Sequence, residues 1–176
     1  MGNESRDIGV FQDPSGSGIL LSEDRKNGLH IYQLGHDYLS VERLLSTTLK
    51  DDGSHGYESP VLIYQDGLYY LFGSDLTGWN TNDNKYSTAE SLQGPWSAWR
   101  DFAKPGSRTF DSQVSVIVPV SGSERTTHIY IGDRWNRSDL FNSRTVVLPI
   151  EIQAGKAQLS WHETWSLDLS TGVVSH

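Results

Sequence analysis

A chain of 176 residues is long enough for one ordinary domain with a sizeable core. Its formal net charge of −8 sets it against nucleic acid, whose phosphates it would repel, and no Lys/Arg cluster offsets that average. It has no cysteine, so neither a disulfide framework nor a thiolate metal site is available, and no apolar run reaches membrane-spanning length.

The chain opens on Met1-Gly2-Asn3-Glu4-Ser5-Arg6, which lacks the apolar segment of a signal peptide. Strands are predicted over residues 9–13, 18–22, 29–34 and 41–46, separated by Pro14-Ser15-Gly16-Ser17, Asn27-Gly28 and Gly35-His36-Asp37, all of which carry turn chemistry. After the linker Asp51 to Gly56 comes Tyr57-Glu58-Ser59-Pro60, then two apolar runs, residues 61–64 and 68–73, joined by Asp66-Gly67. Asp-Gly between such runs is the strongest local signal of a β-hairpin. Strands at residues 85–89 and around 96–99 complete this group, and the long loop before them, residues 75–84, carries Thr77 and Trp79. A third group begins at Gln113 with residues 114–118, continues through 127–131 and 145–152, and ends near Trp161. Asp133-Arg134-Trp135 follows its second strand, where residues 75–79 follow the equivalent strand of the second group. The tail reads as one more strand and a turn, and no helix of useful length is predicted.

Three hairpins thus each begin with one polar residue, Asp7, Glu58 and Gln113, spaced 51 and 55 residues apart. Self-similarity at about 50 residues in an all-β sequence points to propeller blades. The repeats run over about 7–49, 58–102 and 113–161, with a tail at 162–176, in one partial domain. If each hairpin supplies the inner strands of a blade, the three polar residues converge at one end of a central channel. Six Trp and eight Tyr supply rings for packing or for stacking on flat ligand faces. The six His residues show no metal-ligand spacing with acidic partners, so no metal and no cofactor is expected.

The segments Ser5-Arg6-Asp7-Ile8-Gly9-Val10-Phe11, Glu58-Ser59-Pro60, Leu76-Thr77-Gly78-Trp79, Gly94-Pro95-Trp96-Ser97, Phe110-Asp111-Ser112-Gln113 and Gly132-Asp133-Arg134-Trp135 resemble the five-bladed β-propellers of glycoside hydrolase family 43. The resemblance is strongest to the exo-β-1,3-galactanase branch and covers nearly all of this chain in the family's order. It implies that Glu58 is the general acid and that Asp7 orients it and raises its pKa. Most of the family inverts with a third carboxylate as base. In the galactanase branch a Gln stands there, acting through its imidic tautomer, and the match is Gln113. Thr77, Trp79, Asp133, Arg134 and Trp135 are candidates for touching sugar, with packing as the alternative for the rings and an ion pair beside a packed ring for Asp133 and Arg134.

The resemblance also implies an all-β propeller incomplete at its N-terminus, about three blades plus a closing strand, from an extracellular parent protein. Its partner is β-1,3-galactan or a galactooligosaccharide, not nucleic acid or a membrane. The alternative function is a carbohydrate-binding module or inactive pseudoenzyme with the same pocket. On the truncated reading, Leu20, Leu29 and Ile31 in the first repeat and Val147, Ile150 and Trp161 in the last are expected to lie on uncovered faces.

Overall fold

The computed structural model describes residues 2–176. It contains three four-stranded antiparallel sheets and one two-stranded sheet. The first is a meander of β1 (Ile8–Gln12), β2 (Gly18–Asp24), β3 (Gly28–Leu34) and β4 (Val41–Thr48). The second runs β5 (Glu58–Gln65), β6 (Leu68–Ser74), β7 (Lys85–Ala89) and β8 (Arg100–Asp101). The third runs β9 (Gln113–Ser121), β10 (Thr126–Arg134), β11 (Arg144–Gln153) and β12 (Lys156–Leu159). β13 (Ser166–Asp168) pairs with β14 (Val173–Ser175) in the tail. Among the described residues, helix is confined to two short turns, Arg108–Asp111 and Leu140–Asn142, and no helix is long and apolar enough to cross a membrane.

The chain divides into two compact units. One comprises the chain up to Leu76 together with Lys85–Arg100, the other Thr77–Asn84 together with Asp101–His176. The loop that carries Thr77 and Trp79 therefore clusters with the third sheet, although the sequence sets it between strands of the second.

In the first unit the β5–β6 turn has Asp66 and Gly67 at φ of 52° and 81°, the left-handed conformations that an Asp-Gly hairpin supplies. The core is built from Ile19, Leu21, Leu29 and Ile31 of the first sheet with Leu62, Tyr69 and Leu71 of the second, joined by Tyr57, Leu92 and Trp99. Residues paired across adjacent antiparallel strands share a face, so Leu21 and Ile31, which face each other in register, form the packed side. This corrects the expectation that Leu29 and Ile31 lie uncovered, since both are fully buried. The exposed apolar side chains Ile8, Val10 and Leu44 lie on the opposite face. Ile150 in the second unit is likewise buried, whereas Val147 and Trp161 are exposed.

The fourth strand of the second sheet lies beyond the predicted Trp96 to Trp99, at Arg100–Asp101. Those two rings serve the core instead: Trp99 is buried against Tyr57, its ring centroid 4.3 Å away, and donates its indole N–H to the Leu49 carbonyl at 2.9 Å. Trp96 donates to Ser46 Oγ at 3.4 Å.

Candidate active site

In the first unit β1, which Asp7 immediately precedes, comes very close to β5, which Glu58 opens. A Cβ on Gly9 would stand 2.2 Å from the Pro60 carbonyl oxygen, so only glycine lets β1 approach β5 this tightly. The pairing of β5 with β6 slips between Glu58 and Val61, and Ser59 sits at φ 52°. The Glu58-Ser59-Pro60 segment is therefore an irregularity of the kind that re-aims a side chain at the start of a strand. Asp7 holds it: its Oδ2 accepts the Ser59 N–H at 3.0 Å across 52 positions of sequence. Asp7 is exposed and Glu58 half-buried, with Glu58 paired to Ser74 of β6.

Two features around these residues are not evident from the sequence. Glu23, at the end of β2, is fully buried; its N–H donates to the Asp7 carbonyl at 2.8 Å and its carbonyl accepts the Arg6 N–H at 3.0 Å. Burial first, and then the negative charge of Asp7, push the Glu23 carboxyl above the usual range. The second feature is a charged group at the end of β6, where Asp75 accepts from Lys50 Nζ at 2.9 Å and lies 3.4 Å from His55 Nε2. Lys50 borders the stretch read from sequence only as a linker, and His55 lies within it.

In the second unit Gln113 opens β9 opposite Asp133 of β10. Its Oε1 accepts the indole N–H of Trp135 at 3.1 Å. Trp135 in turn meets Trp79 edge to face, the centroids 6.3 Å apart at 81°, and the two rings are 46% and 48% exposed. Thr77 anchors the loop carrying Trp79: its hydroxyl donates to the Asn80 carbonyl at 2.5 Å and accepts from Asn82 Nδ2 at 2.8 Å. The structure thus brings together four of the predicted residues here, Thr77, Trp79, Gln113 and Trp135, while Asp133 lies half-buried at the base of the group.

Arg134 points elsewhere. Its guanidinium donates twice to the Phe110 carbonyl, at 3.1 and 2.7 Å, and lies 5.5 Å from the centre of the Trp161 ring, which packs on Phe110. The segment it clasps, Arg108 to Asp111, is a single turn in which all four residues have φ between 52° and 56°, a left-handed conformation costly for side chains with a Cβ. Several bonds hold it. Asp83 accepts the N–H groups of Gly106 and Arg108, each at 2.7 Å, and Thr109 Oγ1 accepts the Asn84 N–H at 2.8 Å. The buried Ser112 donates to the Thr109 carbonyl at 2.6 Å and pairs with the Tyr130 hydroxyl at 2.8 Å. Burial drives the Tyr130 pKa well up, so that hydroxyl stays neutral. Tyr130 reaches Ser112 by lying across Gly132, where a Cβ would meet the phenol oxygen at 2.3 Å. Asn84 Oδ1 accepts the Val114 N–H at 2.7 Å, which ties the same network to the residue after Gln113. Among the described residues no group of three or more His, Cys, Asp or Glu side chains is arranged to hold a metal.

No family model matches the sequence, nor does any curated protein. Solved structures do. A Bifidobacterium bifidum S17 protein assigned as an exo-β-1,3-galactanase is 49% identical over 96% of this chain with a TM-score of 0.89. An exo-β-1,3-galactanase from Clostridium thermocellum is 33% identical over 99% with a TM-score of 0.90. A variant of the Phanerochaete chrysosporium exo-β-1,3-galactanase, crystallised with β-1,3-galactotriose, is 32% identical over 99% with a TM-score of 0.89. β-1,3-Galactosidases of glycoside hydrolase family 43 are also among the matches. The chain spans 57, 38 and 40% of the first three proteins. Its sheets are those of an all-β, propeller-type fold, and the chain belongs to glycoside hydrolase family 43, where it is similar to part of the exo-β-1,3-galactanases.

Proposed function

We propose that this chain carries the acid and base positions of an exo-acting hydrolase of β-1,3-galactan, the main chain of arabinogalactan. Its three four-stranded sheets are then blades of a five-bladed propeller, and its working place is extracellular, where such polymers occur. Glu58 protonates the leaving glycosidic oxygen as the bond to the anomeric carbon breaks. A water molecule bonds to that carbon, and the proton it loses passes to the nitrogen of Gln113 in its imidic form. Asp7 orients the acid. Thr77, Trp79 and Trp135 offer the sugar one hydroxyl and two exposed rings, and Asp133 is a polar contact at their base; Arg134 supports the site through Phe110.

The observation that supports this reading most directly is the Asp7 carboxylate bonded to the N–H that follows Glu58. That bond fixes the residue read as modulator against the backbone beside the residue read as acid, which supports pairing the two. The test is galactose release from β-1,3-galactotriose, measured beside binding of the same trisaccharide. Release supports the hydrolase; binding without release supports the carbohydrate-binding alternative.

A further inference from the structure

Two groups in the second unit converge on Gln113 by different routes. The backbone just before it is the left-handed turn at Arg108 to Asp111, fixed by Asp83, Asn84 and Arg134, and its side-chain oxygen faces Trp135 Nε1 at 3.1 Å. Left-handed residues that carry side chains persist only where surrounding bonds over-determine them, and they gather where a side chain must be placed accurately. An amide has two ends of opposite hydrogen-bonding character, so placing its backbone does not decide which end faces the reacting water. The indole decides it. An indole N–H donates and cannot accept, whereas a glutamine offers both roles.

We infer that Trp135 is a positioning residue for Gln113: its indole N–H holds the amide oxygen and thereby turns the amide nitrogen toward the water. This deepens the reading above and rests on its assignment of Gln113 to the base position. In the ordinary amide and the imidic form alike, a donor at the oxygen leaves the nitrogen lone pair or N–H on the far side. Trp135 is in turn held edge-on by Trp79 at 6.3 Å, so the Trp79 loop contributes to the same orientation. The specific claim is that the N–H of Trp135, more than the area of its ring, is what the site uses.

The test compares the full 176-residue chain with Trp135→Phe, which keeps a ring and removes the donor, by thermal melt and by ¹⁵N NMR of the Gln113 side-chain NH₂, identified by its loss in Gln113→Glu. With melts alike, the Gln113 NH₂ is ordered in the parent and mobile in the variant; an NH₂ equally ordered in both overturns the proposal. On β-1,3-galactotriose the variant loses on the order of 10-fold or more in kcat while KM stays within about 2-fold, as misorientation of a reacting group predicts. An unchanged kcat, with KM raised only in Trp135→Ala, assigns the ring to sugar stacking and also overturns it. If the parent chain releases no galactose, it is the proposed activity that fails, and the NMR comparison still decides the orientation of Gln113.

Discussion

A carboxyl that must deliver a proton is exposed to two opposing demands, since it needs a neighbour to hold it and a reason to stay protonated. Beside Glu58, the residue proposed as such an acid, the holding contact comes from Asp7. Asp7 fixes the backbone at Ser59, and Glu23, whose N–H bonds the Asp7 carbonyl, is buried with its own carboxyl pushed up. Glu58→Gln is expected to lower activity on unactivated galactan by at least the roughly 10²-fold typical of a general acid, with the thermal melt unchanged. An aryl galactoside, whose leaving group needs little protonation, loses less; equal losses on both substrates would remove Glu58 from the acid role. A second residue-scale expectation concerns Asp24, which is fully buried at the β2–β3 turn. The Asn27 side chain, and the N–H groups of Lys26 and Asn27, hold its pKa down to about 2 against the effect of burial. A depressed carboxylate stabilises the fold above its unfolded pKa of 3.8 and loses that contribution as pH falls toward 2. The gap in melting temperature between the parent and Asp24→Asn should therefore be full at pH 5 and shrink on acidification. A gap independent of pH would mean that Asp24 acts through packing alone.

At the scale of elements, the first unit depends on one close approach and the second on one strained turn. Gly9→Ala sets a methyl group 2.2 Å from the Pro60 carbonyl, so β1 must move away from β5. Overpacking of this kind costs about 1–3 kcal/mol, and here the movement also pulls Asp7 from Ser59. The expected result is a lower melting temperature together with lost activity, and an undisturbed melt would show that β1 is not held as tightly as Gly9 implies. In the second unit, Asn84→Ala removes the acceptor of the Val114 N–H and a donor to Asn82. That loss costs about 1–3 kcal/mol. The sequence disclosed the β9–β12 sheet but not the turn in front of it. Turns that need positive φ are read from Gly, Asn and Asp, and of Arg108-Thr109-Phe110-Asp111 only the last residue is one of these; Asp83, Asn84 and Arg134 impose the conformation from outside. Asp66-Gly67, by contrast, was legible because its conformation is written in its own residues. Glu23 was missed for a similar reason, since a charged residue at the end of an apolar run reads as the point where the strand emerges into water. Here β2 continues to Asp24, and both acids are buried.

For the whole molecule, the apolar surface that remains uncovered sets the solution behaviour. In the first unit Val10, Leu20, Tyr32 and Leu44 are successive cross-strand partners, so they share one face of the sheet with Ile8, two positions before Val10. Tyr32 is shielded, its hydroxyl accepting from Asn3 Nδ2 at 2.8 Å, but Ile8, Val10 and Leu44 are 62, 74 and 44% exposed. A row of exposed apolar side chains on a sheet face favours association. The net charge of −8 opposes it, because copies of the chain repel one another. That repulsion acts over a Debye length of about 10 Å at 0.1 M salt and about 3 Å at 1 M, whereas apolar attraction persists in salt. The chain is therefore expected to form oligomers whose size, followed by light scattering, grows as sodium chloride is raised. Ile8→Thr with Val10→Thr keeps the β-branched shape that suits a strand, replaces an ethyl group of Ile8 and a methyl group of Val10 by hydroxyls on the exposed face, and should suppress that growth without lowering the melting temperature. If the parent chain stays monomeric from low to 1 M salt, or if the double variant associates as readily, this face is not what brings the copies together.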